Sequence, residues 1–268
     1  MLPSACDWFG GRVEEVMSRT KVIGILGGMS WESSAEYYRL ANEIVRARLG
    51  GLHSARIVLA SVDFAEIERL QAISHWEEAA RLLAGIAKEL EVAGADLLIL
   101  CTNTMHKVAD QVQAAVSIPL LHLVDVTAAA VIRAGMGTIG LLGTAFTMEQ
   151  DFYRNRLAGH GLRVLVPEED DRAEVHRIIY DELCQGNVRE ESRAVYRAVI
   201  GRLVESGAEG VVLGCTEIEL LISDADSPVP LFPTTRLHVK AAVDAALEGV
   251  DMPAAKGDHT RQAPTLAG

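Results

Sequence analysis

Several features that mark large classes of protein are missing from this chain. No stretch of its 268 residues approaches the roughly 20 consecutive apolar residues that span a bilayer. No basic run relieves the net charge of −12, a balance that repels nucleic acid and anionic membranes. Cysteine is scarce. There are four, Cys6, Cys101, Cys184 and Cys215, and no C-x-x-C, which argues against a thioredoxin-type redox site or a zinc ribbon. The first 20 residues lack a basic start followed by an apolar core, so no secretory leader is read there. A cytoplasmic protein with free thiols is expected.

What is present is a repeat. Gly94-Ala95-Asp96-Leu97-Leu98-Ile99-Leu100-Cys101-Thr102-Asn103-Thr104 returns as Gly207-Ala208-Glu209-Gly210-Val211-Val212-Leu213-Gly214-Cys215-Thr216-Glu217. Lys21 to Gly28 returns as Gly137 to Thr144, so that 77 positions separate Gly24 from Cys101 and 75 separate Gly140 from Cys215. Tyr37-Tyr38-Arg39 is echoed by Phe152-Tyr153-Arg154, and Ile118-Pro119-Leu120-Leu121 by Val229-Pro230-Leu231-Phe232. Four features in one order at one spacing indicate two copies of one unit.

Short apolar runs alternate with helical patterns. Strands are expected at Val22–Leu26, Arg56–Val62, Leu97–Leu100 and Leu120–Val124, with helices at Glu32–Leu49, His75–Val92 and Thr102–Val116; the pattern restarts at Ile139. Continuous Val/Ile/Leu strands alternating with helices imply parallel sheets covered on both faces. The expected fold is α/β, with two pseudo-symmetric Rossmann-like or flavodoxin-like domains. The expected limits are a loose extension at 1–20, a first domain at 21–125 joined by a C-terminal helix at 235–250, a second at 126–234, and a mobile tail at 251–268.

Ligands of such sheets bind beyond the carboxyl ends of the strands. The residues there are Gly27-Gly28-Met29-Ser30, Asp63, Cys101-Thr102-Asn103-Thr104, Gly143-Thr144 and Cys215-Thr216-Glu217. Facing strand ends would enclose a cleft with one thiol from each domain. Each thiol is expected at a helix N-terminus, where the helix dipole would favour a thiolate. A thiolate and a thiol on opposite faces of a carbon are what racemisation requires: one removes a proton and the other delivers one. The Thr and Asn residues can cap helices and also hold a carboxylate. Gly24-x-x-Gly27-Gly28 lacks the dinucleotide spacing, so small residues there are read as admitting a small ligand. His106 lies five residues beyond Cys101 without further ligands, so no metal is expected. Glu168-Glu169-Asp170-Asp171 is read as a solvated helix start. Cys6 and Cys184 have no counterpart in the other half and are read as structural.

At these residues the chain resembles the aspartate/glutamate racemase family, which works without pyridoxal phosphate. The resemblance is carried by Ile25-Leu26-Gly27-Gly28-Met29-Ser30-Trp31-Glu32-Ser33-Ser34, Cys101-Thr102-Asn103-Thr104-Met105-His106, Gly214-Cys215-Thr216-Glu217-Ile218, and Leu141-Leu142-Gly143-Thr144 with Thr147-Met148. It covers about residues 21 to 250 and is nearest the broad-specificity branch. It implies an active site between two domains, with catalytic Cys101 and Cys215. Substrate would be bound around Gly28, Met29, Ser30, Thr102, Asn103, Thr104, Thr144, Thr147, Thr216 and Glu217. Arg48 matches an arginine that some aspartate-specific members place on the side-chain carboxylate. The family further implies no cofactor, an amino-acid substrate and a homodimer. Two departures point away from aspartate: Pro233-Thr234-Thr235 lacks an acidic group many members carry, and residues 167–175 hold no lysine. The remaining alternatives are a maleate isomerase or decarboxylase relative, and a small-molecule binding protein without catalysis.

Overall fold

The computed structural model describes residues 20–248. The expected tail at 251–268, and all but the last residue of the expected extension at 1–20, lie outside the described residues. Two parallel sheets organise the chain. The first has the order β2-β1-β3, built from β1 (Ile23–Gly27), β2 (Ile57–Ser61) and β3 (Leu97–Leu100). The second has the order β5-β4-β6-β7, built from β4 (Thr138–Gly143), β5 (Arg163–Leu165), β6 (Gly210–Gly214) and β7 (Leu231–Pro233).

Helices α1 (Trp31–Leu49), α2 (Phe64–Ala72), α3 (Trp76–Val92), α4 (Ala109–Ala114) and α5 (Leu123–Arg133) follow the first-half strands. Helices α6 (Ala145–Glu149), α7 (Asp151–Gly159), α8 (Glu169–Asp181), α9 (Glu190–Glu205), α10 (Ile218–Leu221) and α11 (Thr234–Ala246) belong to the rest. No helix among the described residues is long and apolar enough to cross a membrane.

The repeat is visible in the hydrogen bonds. Leu98 N–H donates to Pro119 O at 2.8 Å, and its counterpart Val211 N–H donates to Pro230 O at 2.9 Å. Asp96 N–H donates to Val22 O (2.8 Å) as Glu209 N–H donates to Thr138 O (2.9 Å). The tyrosine echo is offset by one residue. Tyr37 and Tyr153 are the buried pair, whereas Tyr38 is exposed, because the helix periods place Tyr37 on the sheet side of α1.

Alternation along β3 explains why both faces must be covered. Leu97, Ile99 and Cys101 enter a core with α1 and α11, while Leu98 and Leu100 enter another with α2 and α3. Burying such a side chain contributes about 1.5–3 kcal/mol. Val239, Ala242 and Val243 of α11 pack on Ile23, Ile25 and Tyr37, so the C-terminal helix covers the first sheet. Val124, Ala128 and Val131 of α5 pack on Ile139 and Leu141 of the second.

The strand expected at Leu120–Val124 does not form. Only Leu120 pairs, through one bridge to Leu98, and Leu123 already starts α5. His122 stops the strand by capping that helix: its Nδ1 accepts from Val124 N–H at 3.2 Å. An apolar run this short fits either element, and the cap decides. The helix expected at Thr102–Val116 is divided, with a 3₁₀ turn at Thr104–Val108 leading into α4.

Candidate active site

The turn after β1 brings the two halves together. Gly28 has φ of 93°, and a Cβ there would lie 2.3 Å from Val62 O, so only glycine fits. Its N–H donates to Ser34 Oγ (2.7 Å), and Ser34 Oγ donates to Ser30 O (3.0 Å). Ser30 caps α1, accepting from Ser33 N–H at 3.2 Å, and donates its hydroxyl to Glu217 Oε1 at 2.9 Å. Ser33 Oγ lies 3.3 Å from Cys101 O and 2.9 Å from Thr216 Oγ1, so one serine touches both cysteine turns.

A small cavity of about 40 Å³ opens at this junction, beyond the carboxyl ends of both sheets. Met29, Ser30, Thr102, Asn103 and Thr104 line it from the first half; Thr144, Gly214, Cys215, Thr216 and Glu217 line it from the second. Thr104 Oγ1 and Thr144 Oγ1 are 3.2 Å apart across the boundary.

The Cys215 thiol donates to Glu217 Oε2 at 2.9 Å. Burial pushes this thiol well up from its ordinary range, and the Glu217 carboxylate beside it adds to the effect. Burial likewise pushes the Cys101 thiol up. The helix-dipole expectation therefore fails. The helix after Cys215 is a single turn, and a 3₁₀ turn follows Cys101, so desolvation dominates. What stands beside the Cys215 thiol is the Glu217 carboxylate, which accepts its hydrogen bond.

Behind the first cysteine turn lies a buried histidine cluster. His106 Nε2 accepts from Leu123 N–H at 3.1 Å, so its Nδ1 carries the proton and donates to Thr102 O at 2.7 Å. His238 donates through Nε2 to Leu121 O (2.7 Å) and accepts the Tyr37 hydroxyl at Nδ1 (3.1 Å). The rings of His106 and His122 are 4.6 Å apart. Burial lowers all three, His122 and His238 to about 4, which keeps them neutral.

Residues 26–242 match the model of the Asp/Glu/hydantoin racemase family. The chain belongs to this family. As a family member it is an isomerase, an amino-acid racemase. A curated relative, the broad-specificity amino-acid racemase RacX of Bacillus subtilis, is 25% identical over 175 residues, covering 65% of this chain and 75% of its own. A Yersinia pestis protein assigned as an Asp/Glu racemase is 54% identical with a TM-score of 0.81, over 85% of this chain and 99% of its own. An aspartate racemase homologue from Pyrococcus horikoshii is 35% identical with a TM-score of 0.75, over 84% and 99%.

Within this racemase, nine sequence-expected residues line the cavity, and four do not. Cys101 is fully buried in the first-sheet core, immediately behind the cavity-lining Thr102–Thr104 turn. Gly28 shapes the β1 turn without lining the cavity. Thr147 is buried beneath Thr144, its hydroxyl 3.2 Å from the Thr144 hydroxyl, and positions that cap. Arg48 is not at the site at all. It ends α1 and pairs with Asp244 of α11, because the last turn of a 19-residue helix is carried far from the strand ends. Asn103 lines the cavity, yet its amide is a strut: Nδ2 donates to Thr234 Oγ1 (3.1 Å) and Oδ1 accepts from Tyr153 (3.0 Å).

Phe64, Gln71, Ile179, Tyr180 and Cys184 also line the cavity and escaped sequence reasoning. The signal for Phe64 was its place just past β2. Cys184, expected to be structural, lies in a 3₁₀ turn after α8 and lines the cavity, its thiol pushed up to about 12 by burial. Nothing in the second half's repeat marks it, since its counterpart is absent from the first.

Proposed function

We propose that this racemase inverts Cα of an amino acid by a two-base mechanism in which Cys101 and Cys215 work from opposite faces. The observation that carries the reading is the Cys215 thiol in the inter-half cavity, 2.9 Å from a buried carboxylate. Glu217 takes the thiol proton, and the Cys215 thiolate then removes the Cα proton of one enantiomer. The Cys101 thiol delivers a proton to the far face, and the roles reverse for the other enantiomer. Two opposed sulfurs avoid the need for a single group to swing across the carbon.

The substrate carboxylate is assigned to the Thr102–Thr104 turn and Thr144, whose donors stabilise the charge that builds as the proton leaves. Asn103 contributes through its backbone and by bracing the turn. His106 holds the Thr102 carbonyl away, which fixes how that turn presents its N–H groups. The mechanism requires the turn to bring Cys101 Sγ to the cavity when the halves close on substrate. The reading takes the units to meet near residues 125 and 235, needs no cofactor, and includes a cytoplasmic homodimer; sedimentation reads the dimer.

The test is a chiral assay of L-amino acids in heavy water without added cofactor. The expected result is D-product carrying one deuterium at Cα. Turnover without deuterium at Cα would favour the isomerase or decarboxylase alternative. Binding without turnover would favour a binding protein.

A further inference from the structure

The structure assigns Thr234, the first residue of α11, as a positioning residue that holds the two cysteine turns in register, an assignment that rests on the two-base reading above and deepens it. Thr234 is fully buried. Its hydroxyl donates to Leu213 O on β6 at 2.8 Å and accepts from Asn103 Nδ2 at 3.1 Å. Leu213 stands two residues before Cys215, and Asn103 stands two residues after Cys101. One side-chain oxygen thus joins the strand that delivers one thiol to the turn that follows the other.

The direction of these bonds is fixed. A backbone carbonyl only accepts, so the Thr234 hydroxyl hydrogen is committed to Leu213. The Thr234 oxygen is left to accept, which turns the Asn103 amide nitrogen toward it. Asn103 Oδ1 then faces the Tyr153 hydroxyl and accepts from it at 3.0 Å. Tyr153, Asn103, Thr234 and Leu213 form one chain, buried at every member. Neighbouring Thr235 reaches the second turn, donating to Thr216 Oγ1 at 3.3 Å. The start of α11 therefore ties into both cysteine turns.

Packing alone does not require a hydroxyl at this position. Matching Pro119 to Pro230 in the repeat sets Leu123 opposite Thr234, and Leu123 is fully buried as well. A buried hydroxyl is costly unless it is bonded, and this one spends both bonds on the cysteine segments. Proton removal and delivery from opposite faces depend on where the two sulfurs stand, and a displacement of about 1 Å can lower a rate on the order of 10²-fold.

The experiment follows deuterium at Cα in heavy water for wild type, Thr234→Val, Thr234→Ser and Tyr153→Phe. The probes are both enantiomers of alanine, methionine, homoserine, aspartate and glutamate, continued with the one that wild type turns over fastest. Once one sulfur has taken the Cα proton, the carbanion is quenched by the opposite thiol, which inverts it, or by the same sulfur after exchange with solvent, which returns labelled starting enantiomer. Valine keeps the shape of threonine and removes both bonds. Thr234→Val, shown folded by circular dichroism, is expected to lower kcat at least tenfold and to raise the ratio of labelled starting enantiomer to inverted product at least threefold. Thr234→Ser keeps the hydroxyl and should stay within threefold of wild type in both readouts. A smaller fall in kcat, a ratio raised less than threefold, or a serine variant as impaired as the valine variant overturns the inference, since a purely structural role lowers the active fraction without moving the ratio. Tyr153→Phe frees the other end of the Asn103 amide and should raise the same ratio at least twofold; it decides the matter should Thr234→Val fail to fold. Any of these failures in an active enzyme leaves the two-base reading standing, whereas wild type that labels none of the probes sinks that reading and this inference together.

Discussion

Acidification should loosen this fold well before ordinary carboxylates titrate, and the histidine cluster behind the Cys101 turn is the reason. His122 and His238 are neutral in the fold, with pKa values lowered by burial to about 4. In the unfolded chain each takes up a proton below about 6.5. Their contribution is therefore full above pH 6.5 and is lost as pH falls toward 4. At pH 5 the loss is about 2 kcal/mol for each. His106 is lowered by burial too and adds in the same direction. Glu219 runs the other way. Burial raises its carboxyl to about 7, so its neutral form favours the fold as pH falls through 7, returning about 2 kcal/mol at pH 5. The net expectation between pH 7 and 5 is a loss of about 2 kcal/mol from these three groups, increased by His106, or a fall in Tm of about 4–8 °C. His122→Asn isolates the effect. Asparagine caps a helix well, so it can accept the Val124 N–H that His122 accepts while removing the titration. In urea titrations followed by circular dichroism, the variant should lose about 2 kcal/mol less than the parent between pH 7 and 5. Equal losses in the two proteins would refute the reasoning.

Gly28→Ala should cost about 2–4 kcal/mol, since the added Cβ would sit on the Val62 backbone at a left-handed φ; thermal melting measures it. Arg48→Ala should change stability by less than about 1 kcal/mol and leave kcat/KM for acidic and neutral substrates unaltered, because its Asp244 pair lies on the surface away from the cavity. Glu217→Gln should lower kcat on the order of 10²-fold, read by steady-state kinetics, because the Cys215 proton loses its acceptor.

Much of the fold was legible because burial on both faces writes strands as unbroken apolar runs. Leu97–Leu100 and Gly210–Gly214 are such runs, and the matched Cys-Thr turns after them mark equivalent strand ends. Leu120–Val124 misled for the same reason, since apolarity alone does not separate a strand from the first turn of a buried helix. Site residues adjacent in sequence to strand ends were legible; residues delivered by helices were not. Arg48 matched a motif but not a location, as its distance from the cleft is set by helix length. Cys184, Ile179 and Tyr180 reach the cavity through the end of α8, and their position depends on how that helix lies across the second sheet. Burial also reversed the electrostatic expectation for the thiols, which no local pattern around Cys101 or Cys215 discloses.

The most direct measurement follows deuterium at Cα by mass spectrometry for wild type, Cys101→Ser and Cys215→Ser acting in heavy water on each enantiomer of the amino acid that wild type turns over fastest. Wild type should yield inverted product with one deuterium from either side, and both variants should lose inversion while keeping the wild-type circular dichroism spectrum. Inversion at a near wild-type rate in either variant would contradict the paired-thiol account.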